Sequence, residues 1–402
     1  MILEIILALL LGCTIGTFTG ITPGIHINTV TAILLANLGI FSQVSSLSLV
    51  SFVVSLAITH TILDFIPSIL TGATDEESFL SVLPGHEMLK QGKGKEAILM
   101  IIIGSLTAIP LIILITPLFV SLVPKIFDSI KTIIPFILIF VSLYTVMREQ
   151  KVWTALIVFL STGLLGCATL SSPVKEPLLP LLAGLFGGSG LIISLSQKIK
   201  IPKQKKLNIS NIKLPKKEYF KAVIGSIISS PICSFLPAIG SGQAATISSE
   251  IIPQSRKGFL VMLGTINIIV MVLSFATLES IGKTRTGAAV AIKEILTELS
   301  YQNLWKIILI AIITIIITSF IALVITNLFI KLISKFSYKT LSIVMFGILL
   351  ISIILLSNPL GLLVFITSTA WGIFAILSNI RRINLMGVLL VPTIIIYLTN
   401  QF

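Results

Sequence analysis

Asp64-Phe65-Ile66-Pro67-Ser68-Ile69-Leu70-Thr71-Gly72-Ala73 stands in an apolar segment directly after Thr59-His60-Thr61, and it has an echo. Glu279-Ser280-Ile281-Gly282-Lys283-Thr284-Arg285-Thr286-Gly287-Ala288 repeats its outline 215 residues on: an acid, an isoleucine two residues later, then Thr-Gly-Ala. Upstream of each lies a turn broken by proline and glycine, Thr22-Pro23-Gly24-Ile25-His26 and Leu236-Pro237-Ala238-Ile239-Gly240-Ser241-Gly242. The two prolines are 214 residues apart, so one residue of slip reconciles the pairs. The chain reads as a duplicated membrane protein with one broken, polar pair of elements in each half.

Composition supports the membrane reading. Of 402 residues, 55% are hydrophobic and 11% charged, with a mean hydropathy of +1.10. A soluble domain carries about 25% charged residues. Crossing a bilayer takes about 20 apolar residues, and the sequence offers at least nine such runs. The net charge of +13 does not indicate nucleic acid, because most lysines and arginines stand in short loops between apolar runs, as the positive-inside rule expects. Cys13, Cys167 and Cys233 are isolated in apolar surroundings and fit neither a zinc site nor a disulfide framework. Met1 to Phe18 has too few basic residues for a cleaved signal peptide and reads as the first helix.

In chain order, a helix over Ile2 to Phe18 is followed by the Pro23 turn and a short arm from His26 to Leu38. Leu47 to Ile62 leads into the Asp64 stretch, and a polar loop over Thr74 to Glu96 follows, with His86 expected at the surface. Spans are expected over 97–123, 126–147, 153–170 and 177–195. The first repeat is 1–196, a linker occupies 197–221, and the second repeat is 222–402. The linker holds nine lysines and one acid, Glu218. The second half repeats the order: Ala222 to Phe235, the Pro237 turn, an arm over Gln243 to Ile252, and a span over Gly258 to Ala276. An amphipathic piece then runs to Leu299, and spans over 304–330, 340–356, 360–377 and 385–398 close the chain.

Basic residues orient the halves. Arg148 and Lys151 mark the middle connection of the last four spans in the first half, while its counterpart Ser357-Asn358-Pro359 carries no charge. There the flanking connections are basic instead, with Lys331, Lys335 and Lys339 in one and Arg381 and Arg382 in the other. Placing the positive excess and the lysine-rich linker inside makes corresponding helices run oppositely. The fold class expected is therefore an all-α polytopic membrane protein, built from two inverted structural repeats with broken or re-entrant helices, with both termini outside.

Such breaks point to transport. Unwound backbone at membrane depth is tolerated where it lines a protein or water-filled cavity, and inverted repeats with discontinuous helices hold transporter sites near the midplane. The candidate substrate residues are Pro23, Gly24, His26, Asn28 and Thr29 at the first break. At the second they are Pro237, Gly240, Ser241, Gly242, Gln243 and Thr246, joined by Lys283, Arg285 and Thr286 downstream. Lys283 and Arg285 suit the oxygens of a carboxylate or phosphate, which favours an anionic substrate. Arg285→Ala is expected to abolish anion uptake in a folded protein. Acidic side chains inside a membrane are costly and usually face a cavity, so His60, Asp64 and Glu279 are candidate coupling residues for a proton or a sodium ion. The plainer alternative puts both acids at the membrane–water boundary. No cofactor or metal site is expected.

Gly20-Ile21-Thr22-Pro23-Gly24, Leu236-Pro237-Ala238-Ile239-Gly240 and the loop Leu83-Pro84-Gly85-His86-Glu87-Met88-Leu89-Lys90-Gln91-Gly92 resemble the large permease subunit of the tripartite tricarboxylate transporter family. Ala238 stands where that family's turn has glycine. The resemblance implies a multi-pass permease of the cell membrane that carries carboxylates, with a small membrane subunit and an external binding protein as partners. The Pro-Gly turn also resembles, more faintly, that of polyprenyl-phosphate transporters, which would make the substrate a lipid phosphate. An intramembrane enzyme is disfavoured: Gly187-Gly188-Ser189-Gly190 resembles the rhomboid protease motif, yet His26, His60 and His86 all precede it. No P-loop is present to couple this chain to ATP.

Overall fold

The computed structural model describes residues 2–72, 82–196, 202–204, 214–296 and 298–399, and among them the regular structure is entirely helical. Nine of the described helices are long and apolar enough to cross a membrane. The protein is an all-α polytopic membrane protein.

In the first half, α1 (Ile2–Ile21) and α2 (Ile27–Ala36) flank the Pro23 turn. α3 (Ser46–Leu63) passes through Asp64 into α4 (Phe65–Thr71), and α5 (Val82–Lys90) follows. Then come α6 (Gly94–Lys131), α7 (Ile134–Met147) and α8 (Val152–Leu170). The last element is α9 (Leu178–Leu182), joined to α10 (Ser189–Ser196) by a π-helical turn, Ala183–Gly188. The second half has α11 (Lys216–Phe235), α12 (Ser241–Ile251), α13 (Arg256–Ile281), α14 (Gly287–Leu296) and α15 (Tyr301–Lys335). α16 (Tyr338–Leu356), α17 (Pro359–Leu377), a 3-10 turn Arg382–Met386 and α18 (Gly387–Leu398) complete it.

The leading elements match in length as well as order. α1 and α11 each have 20 residues, α2 and α12 have 10 and 11, and Ser46–Thr71 and α13 each have 26. They also begin alike. The Glu4 carboxylate in the first turn of α1 accepts the N–H of Ser45, the N-cap of α3, at 2.9 Å. The Glu218 carboxylate in the first turn of α11 accepts the N–H of Ser255, the N-cap of α13, at 3.0 Å. In both places a carboxylate takes up one of the orphan donors at a helix start.

Some boundaries differ from the sequence reading. The separation expected between spans 97–123 and 126–147 falls later: α6 runs unbroken for 38 residues through Pro110, Pro117 and Pro124, as membrane helices tolerate when neighbours meet the freed carbonyls. α11 starts at Lys216, six residues before the expected Ala222. The loop expected over Thr74 to Glu96 contains α5 and the start of α6, and its residues 73–81 lie outside the described part.

The core helices α3, α4 and α13 are buried on nearly all sides, as expected of helices enclosed by other helices. Without a hydrophobic drive between helices in lipid, close backbone contact supplies much of the attraction. Where α6 crosses α13, a Cβ on Gly104 would lie 2.2 Å from the Val261 carbonyl oxygen, and one on Gly264 would lie 2.5 Å from that of Ile101. Thr265 donates across the crossing to the Gly104 carbonyl at 3.0 Å.

Helix directions follow from contacts at the ends. Lys151 Nζ reaches Ser378 O at 3.5 Å, so the start of α8 meets the end of α17. Ser357 Oγ donates to Lys175 O and Asn358 Nδ2 to Pro173 O, both at 2.7 Å, so the end of α8 meets the start of α17. The two run antiparallel. Lys95 Nζ lies 2.6 Å from Asn327 Oδ1, which opposes α6 and α15 in the same way.

One end of the molecule gathers the basic loops. Gln204 of the linker accepts the N–H of Gly94 at 2.8 Å, and Lys257 pairs with Glu96 at 2.5 Å. Glu250, at the end of α12, pairs with Arg148 at 3.5 Å and with Arg381 at 2.6 Å. Arg381 also holds the buried Glu149 at 2.6 Å.

His86 is not the surface residue expected. Its Nδ1–H donates to Ile69 O at 3.0 Å, and its Nε2 lies 2.7 Å from the Tyr338 hydroxyl. That hydroxyl donates to Thr71 O at 2.8 Å. The pair thus caps the last carbonyls of α4, and burial pushes the His86 imidazole down to about 4.

Gly104→Ala is expected to cost about 1–3 kcal/mol through overpacking, read as a lower thermal unfolding midpoint in detergent. Gly347→Ala, with no atom within 4 Å of the added Cβ, is the control that leaves it unlowered. For His86 the unfolded chain takes up its proton near pH 6.5 and the folded one only near 4. Stability therefore falls as pH drops through that window, and His86→Gln should flatten this part of the pH–stability curve.

Candidate functional site

Both breaks have the same build. In the first, Gly24 adopts a left-handed φ of +89°, and α2 starts at Ile27 with His26 as its cap, Nδ1 accepting the Asn28 N–H at 3.3 Å. In the second, Ala238 takes the left-handed position with φ +58°. A side chain there costs about 1–2 kcal/mol, so the turn is held by its surroundings. Arg285 supplies the hold. Its guanidinium donates to Leu236 O at 2.8 Å and to Ile239 O, while Cys233 Sγ reaches Ile239 O at 3.1 Å. The side-chain oxygen of Gln243 accepts the Gly240 N–H at 2.9 Å, and Ser241 Oγ donates to Asn267 Oδ1 at 2.6 Å.

The two tips meet around one cavity of about 390 Å³. Its wall includes the first residues of three helices: His26, Ile27 and Asn28 of α2, Gly240 and Ser241 of α12, and Thr286 and Gly287 of α14. Helix starts carry unpaired N–H groups and a partial positive charge, a ready anion site. Lys283 and Arg285 add two formal charges to the same wall. Thr286 caps α14 by accepting the Ala289 N–H at 3.2 Å and lies 3.1 Å from Ser274 Oγ. At Gly287 a Cβ would stand 2.2 Å from Asn28 Oδ1, so α2 and α14 touch where both begin. A second cavity of about 260 Å³ shares His26, Asn28 and Leu178 with the first and adds Gly24, Thr29 and Glu176.

Of the residues singled out by sequence, His26, Asn28, Pro237, Gly240, Ser241, Lys283, Arg285 and Thr286 line the larger cavity. Gly24 and Thr29 line the smaller one. Pro23, Gly242, Gln243 and Thr246 line neither; Pro23 is buried in the turn, and Thr246 donates back to Gly242 O at 3.2 Å. His60 and Asp64 are buried beside the site, at 1% and 4% exposure, and line neither cavity. Glu279, in the last turn of α13, also lines neither.

The Thr-Gly-Ala echo has no structural counterpart. Gly72 ends α4 in the left-handed region, φ +83°, whereas Gly287 begins α14. The helix-ending glycine of the second half is Gly282, φ +67°. Asp64, at the α3–α4 junction, and Glu279, near the end of α13, therefore occupy different positions.

Sequence reading missed Thr393 and Tyr397 of α18, which complete the cavity wall; nothing local distinguishes them from other residues of an apolar helix. It also missed a second use of arginine. Arg382 lies over the Phe186 ring and donates to the Phe186 carbonyl in the π-helical turn.

Compared with known proteins, the sequence matches the tripartite tricarboxylate transporter TctA family over residues 6–387. It is 33% identical over 408 residues to an uncharacterized protein of Methanocaldococcus jannaschii, covering 98% of this chain and 99% of that protein. No solved structure matches.

Because Arg285 anchors backbone carbonyls, its removal is expected to loosen the second tip as well as discharge the cavity. Arg285→Ala should lower the unfolding midpoint by an amount in keeping with about 1.5–3 kcal/mol per lost charged hydrogen bond. Arg285→Lys, which keeps the charge without the fork, should recover only part. An Arg285→Ala midpoint equal to that of the parent protein would show that the tip holds without it.

Proposed function

Because the chain belongs to the tripartite tricarboxylate transporter TctA family, we propose that it is a secondary active transporter that carries an organic carboxylate through the cavity between the two broken tips. The observation that carries this reading is the convergence of three helix starts with Lys283 and Arg285 on one wall. Backbone N–H groups and fixed cations there offer an anion what it loses with its water. The carboxylate class is preferred to a lipid phosphate because the matched family is one of tricarboxylate transporters.

The halves are inverted repeats on this reading, the arrangement that allows alternating access about a fixed midplane site. Supporting it are the recurring order of elements and the opposed directions of α8 and α17. The end of the molecule bearing the linker, Arg148 and Arg381 faces the cytoplasm by the positive-inside rule, with the protein in the cell membrane and both termini outside. A coupling proton or sodium ion drives accumulation. A small membrane subunit and an external binding protein are the partners that a tripartite system calls for.

Lys283→Gln tests the reading, since Lys283 lines the cavity and its ammonium lies over the Phe127 ring, 4.8 Å from the centroid. Losing one charged contact of about 1.4 kcal/mol raises the half-saturating concentration about tenfold. In proteoliposomes, citrate uptake by Lys283→Gln should show that increase. Unchanged half-saturation would remove this wall from the substrate path.

A further inference from the structure

We propose that His60 is the proton-binding residue of the transport cycle and that His26 couples it to the anion cavity. The inference rests on the transporter reading and commits it to a proton rather than a sodium ion. Hydrogen-bond bookkeeping assigns the tautomers. Thr19 Oγ1 donates to Gly16 O at 3.2 Å, so at 3.0 Å from His60 Nδ1 it accepts a hydrogen bond from that nitrogen's N–H. Neutral His60 then carries its hydrogen on Nδ1, and Nε2 is the atom that takes up a second proton.

His26 is arranged the other way. Its Nδ1 accepts the Asn28 N–H, which fixes its hydrogen on Nε2, and a proton added at Nδ1 would face a donor at a positive helix start. The two rings stand edge to face with centroids 5.1 Å apart, close enough that two imidazolium charges would repel. The pair therefore holds one added proton, on His60. His26 lines the anion cavity, so a carboxylate there favours the proton, and the proton favours the carboxylate by the same factor.

The neighbours of α3 fit this assignment. α1 presents Cys13, α15 presents Thr318, whose hydroxyl lies 2.9 Å from Thr59, and α13 carries Glu279. On α14, Lys293 turns to the Gly282 carbonyl at 3.5 Å, leaving Glu294 as that helix's remaining charge. Asp64 follows His60 by one turn and is buried with it. Two facing imidazole rings suit a proton, whereas hard cations want a shell of oxygens.

The test uses the full chain in proteoliposomes with citrate as probe. For one proton per citrate, an inward gradient of two pH units sustains up to about 100-fold accumulation at zero potential. Wild type should accumulate citrate under this gradient and not under a sodium gradient at equal pH. His60→Gln should lose the accumulation and still exchange citrate for citrate. Gradient-driven accumulation in His60→Gln, or sodium-driven accumulation in wild type, overturns the proposal. If wild type fails even to exchange citrate, the transporter reading falls and the proposal with it, a result distinct from exchange without proton drive. Should His60→Gln not fold, Thr19→Val removes the acceptor from Nδ1 and should move the pH of half-maximal driven uptake; an unmoved profile overturns the assignment.

Discussion

A helix that stops inside a membrane exposes carbonyls at one end and N–H groups at the next helix start, and each needs a partner there. This requirement shapes the second tip most plainly. Arg285 takes the carbonyls of Leu236 and Ile239, the Gln243 side chain takes the Gly240 N–H, and Ala238 is held left-handed as a result. With those two carbonyls occupied, three helix starts stand with Lys283 and Arg285 on the cavity wall. On the proposed reading, the side chain that satisfies the break also supplies charge to the wall that an anion meets.

The rest of the molecule keeps the two tips in place. Each hairpin is clamped to its core helix by a carboxylate on a serine N–H, Glu4 on Ser45 and Glu218 on Ser255. Close backbone contact at Gly104 and Gly264 locks α13 to α6. Outer helices such as α8 and α17 oppose one another and face lipid on their exposed sides.

Much of this was legible in the sequence. Pro23-Gly24 and the Pro237 to Gly240 turn announced both breaks because proline and glycine interrupt helices, and the cavity wall contains His26, Asn28 and Ser241 from the polar residues that follow them. The basic loops announced which helix ends share a face. The Thr-Gly-Ala echo misled, because a short match of residue types does not reveal that Gly72 ends a helix while Gly287 begins one. The boundary expected between 123 and 126 also misled, because α6 continues through Pro124 to Lys131. The tie from His86 to Tyr338 and the contribution of Thr393 and Tyr397 depend on contacts between residues distant in the chain, which no local pattern encodes.

The central claim is that an anion is received between the two interrupted helix pairs. Electron cryo-microscopy of the protein in lipid nanodiscs with saturating citrate tests it most directly. The account predicts broken helices at 22–26 and 236–240, with ligand density against the first residues of α2, α12 and α14 beside Lys283. Continuous helices through either turn, or citrate bound elsewhere with that cavity empty, would contradict it.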